Sequence, residues 1–221
     1  MTGSPLEAPL ASLPTTRRAI LLALKRAASL TAQELAVQLG LSVAAIRQQL
    51  VRLADDGLVT HRPDPDGRGR PVHRYELTAT AESLFPKRYG DLTTELLSYL
   101  GGPESDEVSA LFDQRRQRRL DGARPRLAHG NLEAQVAELT RILDEDGYLA
   151  DVERLENGGW RITEHNCAIL TVANGFGQAC SSELSFIRQA LPAATVERVA
   201  HRMDGAHVCA YEVRPHPGAG H

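Results

Sequence analysis

Three cysteines are the residues of this 221-residue chain best suited to chemistry: Cys167, Cys180 and Cys209, all in its last quarter. Twelve residues separate the first two, and twenty-eight separate the second from the third. Thiolates bind iron–sulfur clusters and soft metal ions. An odd number of cysteines argues against a disulfide framework, and without a C-x-x-C pair a zinc ribbon is not indicated. Singly, each cysteine fits a buried apolar position, but three in one region of an otherwise cysteine-free chain favour a shared ligand set.

The elements that carry the cysteines predict a small domain with the order α-β-β-α-α-β-β. The predicted elements are a helix over 131–146, strands over 149–155 and 160–163, an apolar stretch over 168–173, a helix over 180–191, and a hairpin of strands 196–202 and 208–213. Cys167 follows a strand and Cys209 lies in the last strand, so we expect the thiols to converge at one end of the sheet. Cys180 lies where a helix begins, and the helix dipole is expected to favour its thiolate.

A helix-turn-helix followed by a basic hairpin is predicted in the first third of the chain. The predicted elements are a helix from a Thr15 or Thr16 cap to Ala28, a second helix to Leu39, a third from Val43 to about Asp56, and a hairpin with its tip between His61 and Arg74. Thr31 and Glu34 have the spacing of a capping box before the second helix. Gly40 is expected to end that helix and Ser42 to cap the third.

The third helix is expected to enter the major groove of DNA by its N-terminal part. Its predicted contact residues are Ser42, Ala44, Arg47, Gln48 and Arg52. Arginine can bind guanine edges and glutamine adenine edges through paired hydrogen bonds. The hairpin is interpreted as a wing whose basic residues, suited to the minor groove, are Arg62, Arg68, Arg70 and His73. The alternative for both surfaces is a solvated polar face.

A heptad-like stripe follows the wing and predicts a dimerisation helix. This helix would run from a Thr78 or Thr80 cap to about Leu100, with a possible break at Pro86. The stripe has spacings of four, three, four and three, and its residues are Phe85, Tyr89, Leu92, Leu96 and Tyr99. The alternative is that it packs against its own domain. A further helix over 104–120 carries four arginines, which fit a solvated face better than a phosphate contact.

The charge of the chain is unevenly distributed. Residues 15–78 carry ten Lys and Arg against six Asp and Glu, whereas residues 79–221 carry fifteen against twenty-one. A basic head on an acidic body is typical of a nucleic-acid-binding regulator. No signal peptide or membrane-spanning apolar run is recognised, so we expect a cytoplasmic protein. No P-loop, dinucleotide fingerprint or nucleophile elbow is present, so we do not expect an enzyme.

The predicted fold class is α+β: an N-terminal winged helix-turn-helix, a dimerisation helix, and a small C-terminal α+β domain that carries the three cysteines. The predicted regions are a disordered N-terminus over 1–14, the DNA-binding domain over 15–78, a helical dimerisation or linker region over 79–127, the thiol-bearing domain over 128–215 and a disordered tail over 216–221.

From about Thr15 to Val213, the chain resembles the winged-helix repressors of iron–sulfur-cluster assembly operons, the Suf regulator family. At the front the resemblance lies in the helix over 41–53, in Gly67-Arg68-Gly69-Arg70-Pro71 and in Tyr75-Glu76-Leu77-Thr78. At the back it lies in Glu164-His165-Asn166-Cys167, in Cys180 with Glu183-Leu184, in Leu191-Pro192, in Val196-Glu197-Arg198, in His201 and Gly205, and in Cys209-Ala210-Tyr211.

The resemblance implies a homodimer that binds operator DNA, represses cluster-assembly genes and loses DNA affinity when its cluster is lost. It implies a 4Fe–4S or 2Fe–2S iron–sulfur cluster on Cys167, Cys180 and Cys209. A fourth family cysteine is replaced here by Ala194, so the fourth ligand stays open. The candidates are His165, His201, Glu164, Asn166, His207 and a small thiol from solution.

The predicted last hairpin bears on His201. A three-residue loop would place His201 on the face of Cys209 and Val199 opposite it, and a two-residue loop would place His201 on the other face. Three other functions are compatible with the same residues: a winged-helix sensor of zinc or of a thiol-binding toxic metal, a thiol redox sensor without a cofactor, and a regulator whose C-terminal domain binds a small molecule.

Overall fold

The computed structural model describes residues 8–63, 72–156 and 158–216. The chain divides into two units between Lys87 and Arg88, and each unit has a hydrophobic core of its own. Among the described residues, no helix combines the length and apolar character that crossing a membrane requires.

The first unit consists of helices and a three-stranded antiparallel sheet. Its elements are α1 (Ala8–Ala11), α2 (Thr15–Ala27), β1 (Ser29–Thr31), α3 (Ala32–Leu39), α4 (Val43–Asp55), β2 (Val59–Pro63), β3 (His73–Leu77) and α5 (Ala79–Glu82). The strand order is β1-β3-β2, and β2 pairs with β3 from Val59 opposite Leu77 to Pro63 opposite His73. The predicted winged helix-turn-helix is therefore confirmed, while the wing tip over 64–71 lies outside the described residues.

Capping residues define the helices of the helix-turn-helix. The Thr31 hydroxyl accepts a hydrogen bond from the Glu34 N–H, and the Glu34 carboxylate accepts one from the Thr31 N–H at 2.7 Å, which is the predicted capping box. Gly40 ends α3 at a φ of 65°, a left-handed conformation that glycine adopts without strain. The Ser42 hydroxyl accepts a hydrogen bond from the Ala45 N–H at 3.1 Å and begins α4.

The prediction of a disordered lead-in over 1–14 is wrong for the part that the structure describes. Leu10 on α1 is fully buried in the core of the first unit. The predicted threonine cap of α2 is also wrong, because Pro14 occupies the cap position and Thr15 is the first helical residue. The burial of Leu10 therefore holds this segment against the core of the first unit. Residues 1–7 lie outside the described residues.

The helix predicted from Thr78 or Thr80 to about Leu100 is broken near Pro86, where a break was considered possible, and forms two helices. Helix α5 ends at Glu82, and α6 spans Tyr89–Ser98. The intervening Pro86 lacks the N–H that a continuous helix needs. Phe85 is 7% exposed in the core of the first unit, so it cannot share a helical seam with Tyr89. The region predicted over 79–127 thus divides between the units, with 79–87 in the first and 88–127 in the second.

The second unit combines α6 with further helices and a four-stranded antiparallel sheet. Its other elements are α7 (Asp106–Leu127), α8 (Leu132–Leu143), a π-helical turn (Asp144–Tyr148), β4 (Ala150–Arg154), β5 (Trp160–Glu164), α9 (Leu170–Gly175), α10 (Gly177–Ala190), β6 (Ala194–Ala200), a 3₁₀ turn (Arg202–Asp204) and β7 (Cys209–Pro215). The strand order is β4-β5-β7-β6. Leu139, Phe186 and Tyr211 are among the largest fully buried side chains of its core.

Helix α7 is longer than the predicted 104–120. Ser105 caps it, and it continues through Pro125 to Leu127. Ala123 and Leu127 are buried in the core of the second unit, and this burial offsets the hydrogen bond that a proline inside a helix removes. At the other end of the chain, His216 still donates its N–H to the Ala193 carbonyl at 3.0 Å, so the predicted disordered tail does not begin there.

From Ala194 to Arg198, β6 pairs with β7 in the register that a two-residue loop at Asp204-Gly205 would give, with Arg198 opposite Tyr211, and the register then shifts. Ala200 lies opposite Ala210 after a β-bulge that follows Arg198. A bulge adds one residue to one strand, which alternation in the sequence does not reveal. On the β6 side the last pair is Ala200 with Ala210, so Val199 is not paired with Cys209, whereas on the β5 side Cys209 lies opposite Glu164. The 3₁₀ turn over Arg202–Asp204 closes the loop.

Candidate functional site

Helix α4 presents a polar face opposite its buried side. Ile46, Leu50 and Leu53 are fully buried in the core of the first unit. The predicted contact residues of this helix are all exposed: Ser42, Ala44, Arg47, Gln48 and Arg52. Within the described part of the chain, neither Arg47 nor Arg52 forms an ion pair, so both guanidinium groups are available to phosphates or base edges.

The described part of the wing carries two of its four predicted contact residues, and both are exposed. The guanidinium Nε of Arg62 lies 3.8 Å from the Glu76 carboxylate. The His73 ring meets the His61 ring edge-on, with a centroid separation of 4.6 Å. These two residues therefore lie at the base of the wing, whereas the other two, Arg68 and Arg70, lie outside the described residues.

The three cysteines lie on three separate elements and line one small pocket of the second unit. Cys167 lies in the turn between β5 and α9, Cys180 in the first turns of α10, and Cys209 at the beginning of β7. All three are free, partly buried thiols. The backbone N–H of Arg202 donates to the Cys209 sulfur at 3.4 Å. The fold therefore brings together three thiols that are far apart in sequence.

Burial raises the pKa of all three thiols. At Cys180, burial and then the neighbouring Cys167 raise the pKa to about 11. Burial is also the main cause of the raised pKa at Cys167 and Cys209. The prediction that the helix dipole favours the Cys180 thiolate is therefore wrong for the metal-free protein, because burial outweighs the dipole. A thiophilic metal that binds here must displace protons from sulfur.

Buried carboxyl groups lie beside the thiols. Glu164, opposite Cys209 in the sheet, is 4% exposed, and its Oε2 accepts a hydrogen bond from the Tyr211 hydroxyl at 3.3 Å. Burial, and then the charge of Glu183, raise the pKa of Glu164 to about 8. The Oε1 atoms of Glu164 and Glu183 are both buried and have no hydrogen-bond partner among the described residues. The pocket wall therefore has unused acceptor atoms.

Glu183 is held by a network that the sequence did not predict. It accepts hydrogen bonds from the Arg119 guanidinium at 2.7 Å and from the Tyr148 hydroxyl at 3.0 Å. The Arg119 guanidinium also lies 4.1 Å from the Phe186 ring centroid. Burial alone would lower the pKa of Arg119, but the Glu183 carboxylate outweighs it and raises that pKa. The arginines of α7 are thus not simply a solvated face. The i,i+3 spacing of Cys180 and Glu183 was the only sequence signal for the location of Glu183.

The two candidate histidine ligands differ in position. His165 does not line the thiol pocket, is about half exposed, and has its Nε2 2.7 Å from an Asp151 carboxylate oxygen. His201 lines the thiol pocket, and its side chain is 13% exposed. Its Nδ1 lies 3.1 Å from an Asp204 carboxylate oxygen, and its buried Nε2 has no partner among the described residues. Only His201 of the two is therefore placed with the cysteines.

The residues that line the pocket offer three thiol sulfurs, one imidazole and the carboxylates of Glu164 and Glu183 as donor groups. Among the described residues, no three histidine, cysteine, aspartate or glutamate side chains form a group that could hold one metal ion. The ligand atoms of a zinc ion must all lie about 2.0–2.3 Å from one point, whereas the cysteines of a cluster bind different iron atoms. The pocket encloses only about 20 Å³. A cluster on these three thiols would therefore require the segments that carry them to move apart.

Helix α6 presents an exposed apolar face. Four of the five predicted seam residues form it and are between 52% and 73% exposed: Tyr89, Leu92, Leu96 and Tyr99. We call these four residues the α6 face. On the other side of the helix, Leu97 is buried with Phe112 and Phe176. Phe85, the fifth predicted residue, belongs to the core of the first unit.

A groove of about 570 Å³ lies between α6, α7 and the segment that follows Cys167. Cys167 lines both this groove and the thiol pocket. Beside it, Gly90 on α6 packs against Thr171 on α9 so closely that a Cβ atom on Gly90 would lie 2.7 Å from the Thr171 Cβ. Helix α6 is thus in direct contact with the helix that begins after Cys167.

Comparisons with known proteins identify the class of the first unit. The family model described as winged helix-turn-helix DNA-binding matches residues 13–60. The first unit therefore contains a winged helix-turn-helix DNA-binding domain. No curated protein matches the chain.

Several solved structures are similar to parts of the chain. MarR of E. coli in its wild-type apo form is 26% identical, with 46% of this chain and 74% of that chain covered and a TM-score of 0.31. ZitR of Lactococcus lactis, a zinc-responsive MarR family member, is 18% identical over 66% of this chain and 84% of its own, with a TM-score of 0.32. PadR of Bacillus subtilis in complex with operator DNA is 19% identical over 60% of this chain and 91% of its own, with a TM-score of 0.30.

Proposed function

We propose that this protein is a transcription repressor that senses iron–sulfur clusters and binds operator DNA as a homodimer. Cys167, Cys180 and Cys209 would hold a 4Fe–4S or 2Fe–2S cluster, and loss of the cluster would lower the affinity for DNA. The observation that carries the proposal is the meeting of these thiols, from three separate elements, in one pocket. The genes under its control would be those for cluster assembly, as its resemblance to the Suf regulators implies. A regulator with reduced thiols would act in the cytoplasm.

The chain supplies the ligands, and the bound cluster would supply a redox- and oxygen-sensitive group. Thiol sulfurs are the common ligands of iron–sulfur clusters. The pocket keeps the three thiols partly buried, and the buried residues Tyr211 and Glu164 line it as well. This surrounding limits the access of water and oxidants. Burial also favours the protonated thiols in the metal-free protein, so an empty pocket should be slow to oxidise by thiolate chemistry.

The contact between α9 and α6 offers a path from the pocket to the α6 face. Cys167 lies three residues before α9, and the Gly90–Thr171 contact leaves no space for α9 to approach α6 more closely. Opening the thiol pocket moves the turn at Cys167, and the packed helices must adjust. The position of α6 would therefore depend on whether the pocket is open or closed, which is a coupling free energy between two sites.

The α6 face is the proposed dimer interface. Its four residues expose more than half of their surface in the single chain, and a second copy would cover them. Two copies would present two α4 helices to the two half-sites of an operator, with Arg47, Gln48 and Arg52 reading the major groove. The wing residues Arg62, Arg68, Arg70 and His73 would contact the backbone and the minor groove.

The test is a comparison of anaerobically purified wild type with the Cys167→Ser variant. We expect broad visible absorption with iron and sulfide in near-stoichiometric amounts in the wild type, and loss of all three signals in the variant. Ser181→Ala is the matched control, because Ser181 lies beside Cys180 but is exposed. A colourless wild type without iron after anaerobic reconstitution would favour a metal-ion or thiol-redox sensor instead.

A second measurement tests regulation. DNA sequences selected by the cluster-loaded protein from a random library should bind it more tightly than they bind the cluster-free protein. Equal affinity of the two forms would refute the sensing mechanism, even if the cluster itself is present.

A further inference from the structure

We propose that Nε2 of His201 is the fourth ligand of the cluster and that Asp204 positions the imidazole for this role. The proposal rests on the proposed function, because it names the fourth ligand of that site. It selects one of several candidates and adds Asp204, which the sequence did not indicate.

The two ring nitrogens of His201 have different surroundings. Nδ1 lies 3.1 Å from an Asp204 carboxylate oxygen. Nε2 has no accessible surface and no hydrogen-bond partner among the described residues. The same side chain lines the pocket together with Cys167, Cys180 and Cys209. A buried ring nitrogen without a partner, on a residue that lines the pocket of the three thiols, is available to a metal.

The contact with Asp204 selects the tautomer that a metal needs. A carboxylate accepts a hydrogen bond and cannot donate one, so the proton of a neutral ring lies on Nδ1. The lone pair of Nε2 is then free. Histidine ligands of metals almost always donate their other ring N–H to a carboxylate, a backbone carbonyl or water, which fixes the ring and strengthens the ligand.

The hairpin tip ties His201 to Cys209. The His201 carbonyl accepts hydrogen bonds from the N–H groups of Asp204 at 3.1 Å and Ala206 at 3.2 Å. The next residue, Arg202, donates its N–H to the Cys209 sulfur at 3.4 Å. One turn therefore carries the imidazole, its carboxylate partner and a contact to a proposed cluster ligand.

The other nitrogen candidates are directed elsewhere. His165 has its Nε2 against Asp151 outside the pocket. The side-chain amide nitrogen of Asn166 donates to the Gly147 carbonyl at 2.7 Å. His207 is exposed. Each of these groups has a partner or a position that keeps it from the thiols.

The carboxylate candidates are weaker ligands for this site. Glu183 lines the pocket, but Arg119 and Tyr148 hold its Oε2. Glu164 has an unpaired Oε1 in the pocket wall. In Rieske clusters histidine replaces cysteine on one iron, which raises the potential. The imidazole of His201 is therefore the better match to the iron of a cluster.

The experiment uses full-length protein reconstituted anaerobically with ferrous iron and sulfide, grown with and without ¹⁵N-histidine, and reduced by one electron. Pulsed electron paramagnetic resonance should detect imidazole nitrogen coupled to the cluster in the wild type and in the His165→Gln control. The coupling should be lost in His201→Cys, whose new thiol retains the cluster. In Asp204→Ala the cluster should be released about tenfold faster or more, as expected when the carboxylate partner of a histidine ligand is removed.

Three results would overturn the proposal. Nitrogen coupling that persists in His201→Cys would assign it to another histidine. A wild-type cluster without nitrogen coupling would exclude a histidine ligand, while the three-cysteine site of the proposed function would stand. A wild type that takes up no cluster at all would refute both proposals, so the failures are distinguishable.

Discussion

The buried carboxyl group of Glu164 should make the metal-free second unit less stable as the pH rises. The group is 4% exposed. Its Oε2 accepts a hydrogen bond from the Tyr211 hydroxyl, and its Oε1 has no partner among the described residues. Replacement of Glu164 by glutamine keeps the shape and an acceptor for Tyr211 but removes the ionisation. The variant should therefore lose the part of the pH dependence of stability that Glu164 contributes to the wild type.

The direction and size of the effect follow from the pKa. Burial, and then the Glu183 charge, raise the pKa of Glu164 from 4.5 to about 8. Between these values the native state binds more protons than the unfolded state, so the free energy of unfolding falls as the pH rises. The full shift corresponds to at most about 5 kcal/mol at high pH. Because proteins screen buried charge more strongly than an apolar solvent does, we expect about 2–4 kcal/mol.

Urea unfolding followed by tryptophan fluorescence measures this directly. Trp160 is the only tryptophan of the chain and is buried in the second unit, so its emission reports that unit. Metal-free, reduced wild type and Glu164→Gln should be compared from about pH 5 to about pH 8, below the range in which the thiols ionise. Exposed Glu197→Gln is the control and should follow the wild type. Parallel curves for wild type and Glu164→Gln would refute the reasoning.

Three further perturbations probe the second unit. Gly90→Ala places a Cβ 2.7 Å from the Thr171 Cβ and should lower the free energy of unfolding of the unit, measured in urea, by about 1–3 kcal/mol. An unchanged free energy, or one that Thr171→Gly does not restore, would contradict the close contact. Leu92→Glu should give a monomer in sedimentation whose unfolding midpoint no longer depends on protein concentration, and a persistent dimer would place the interface elsewhere. Arg119→Met leaves the Glu183 side chain, which is 5% exposed, without its closest cation. It should lower the free energy of unfolding by about 3–5 kcal/mol, measured by Trp160 emission. An unchanged free energy would show that Arg115, 3.7 Å from the same carboxylate, is enough to stabilise Glu183.

Local signals predicted the helix-turn-helix well because each of its features depends on residues close in sequence. The capping box of Thr31 and Glu34, the left-handed Gly40 and the Ser42 cap all involve contacts over three or four residues. The spacing of Ile46 and Leu50 identified the buried side of α4, and the opposite side is exposed. In such cases the apolar periodicity and the capping residues indicate the same helix.

Phe85 shows where the same reasoning fails. Its spacing from Tyr89 continues an apolar stripe, yet it packs into the core of the first unit, while Tyr89 is 70% exposed in the second. A heptad pattern states that residues would share a helical face if a helix is continuous. It does not state which core receives each side chain, and Pro86 interrupts the helix that the pattern requires.

The thiol pocket required information that no local pattern contains. The prediction for Cys180 used the helix dipole, which acts along its own helix, whereas the burial that raises its pKa depends on the elements packed around it. To predict the position of His201, one would have to know of the bulge in β6 and the 3₁₀ turn, because either feature changes the direction of its side chain. The pH dependence of unfolding in Glu164→Gln and the nitrogen coupling of His201 therefore test tertiary contacts. The cysteine variants test the ligand set that was predicted from the sequence. Because the three tests depend on different groups, a failure in one identifies whether the buried carboxyl group, the histidine ligand or the cysteine ligands are assigned wrongly.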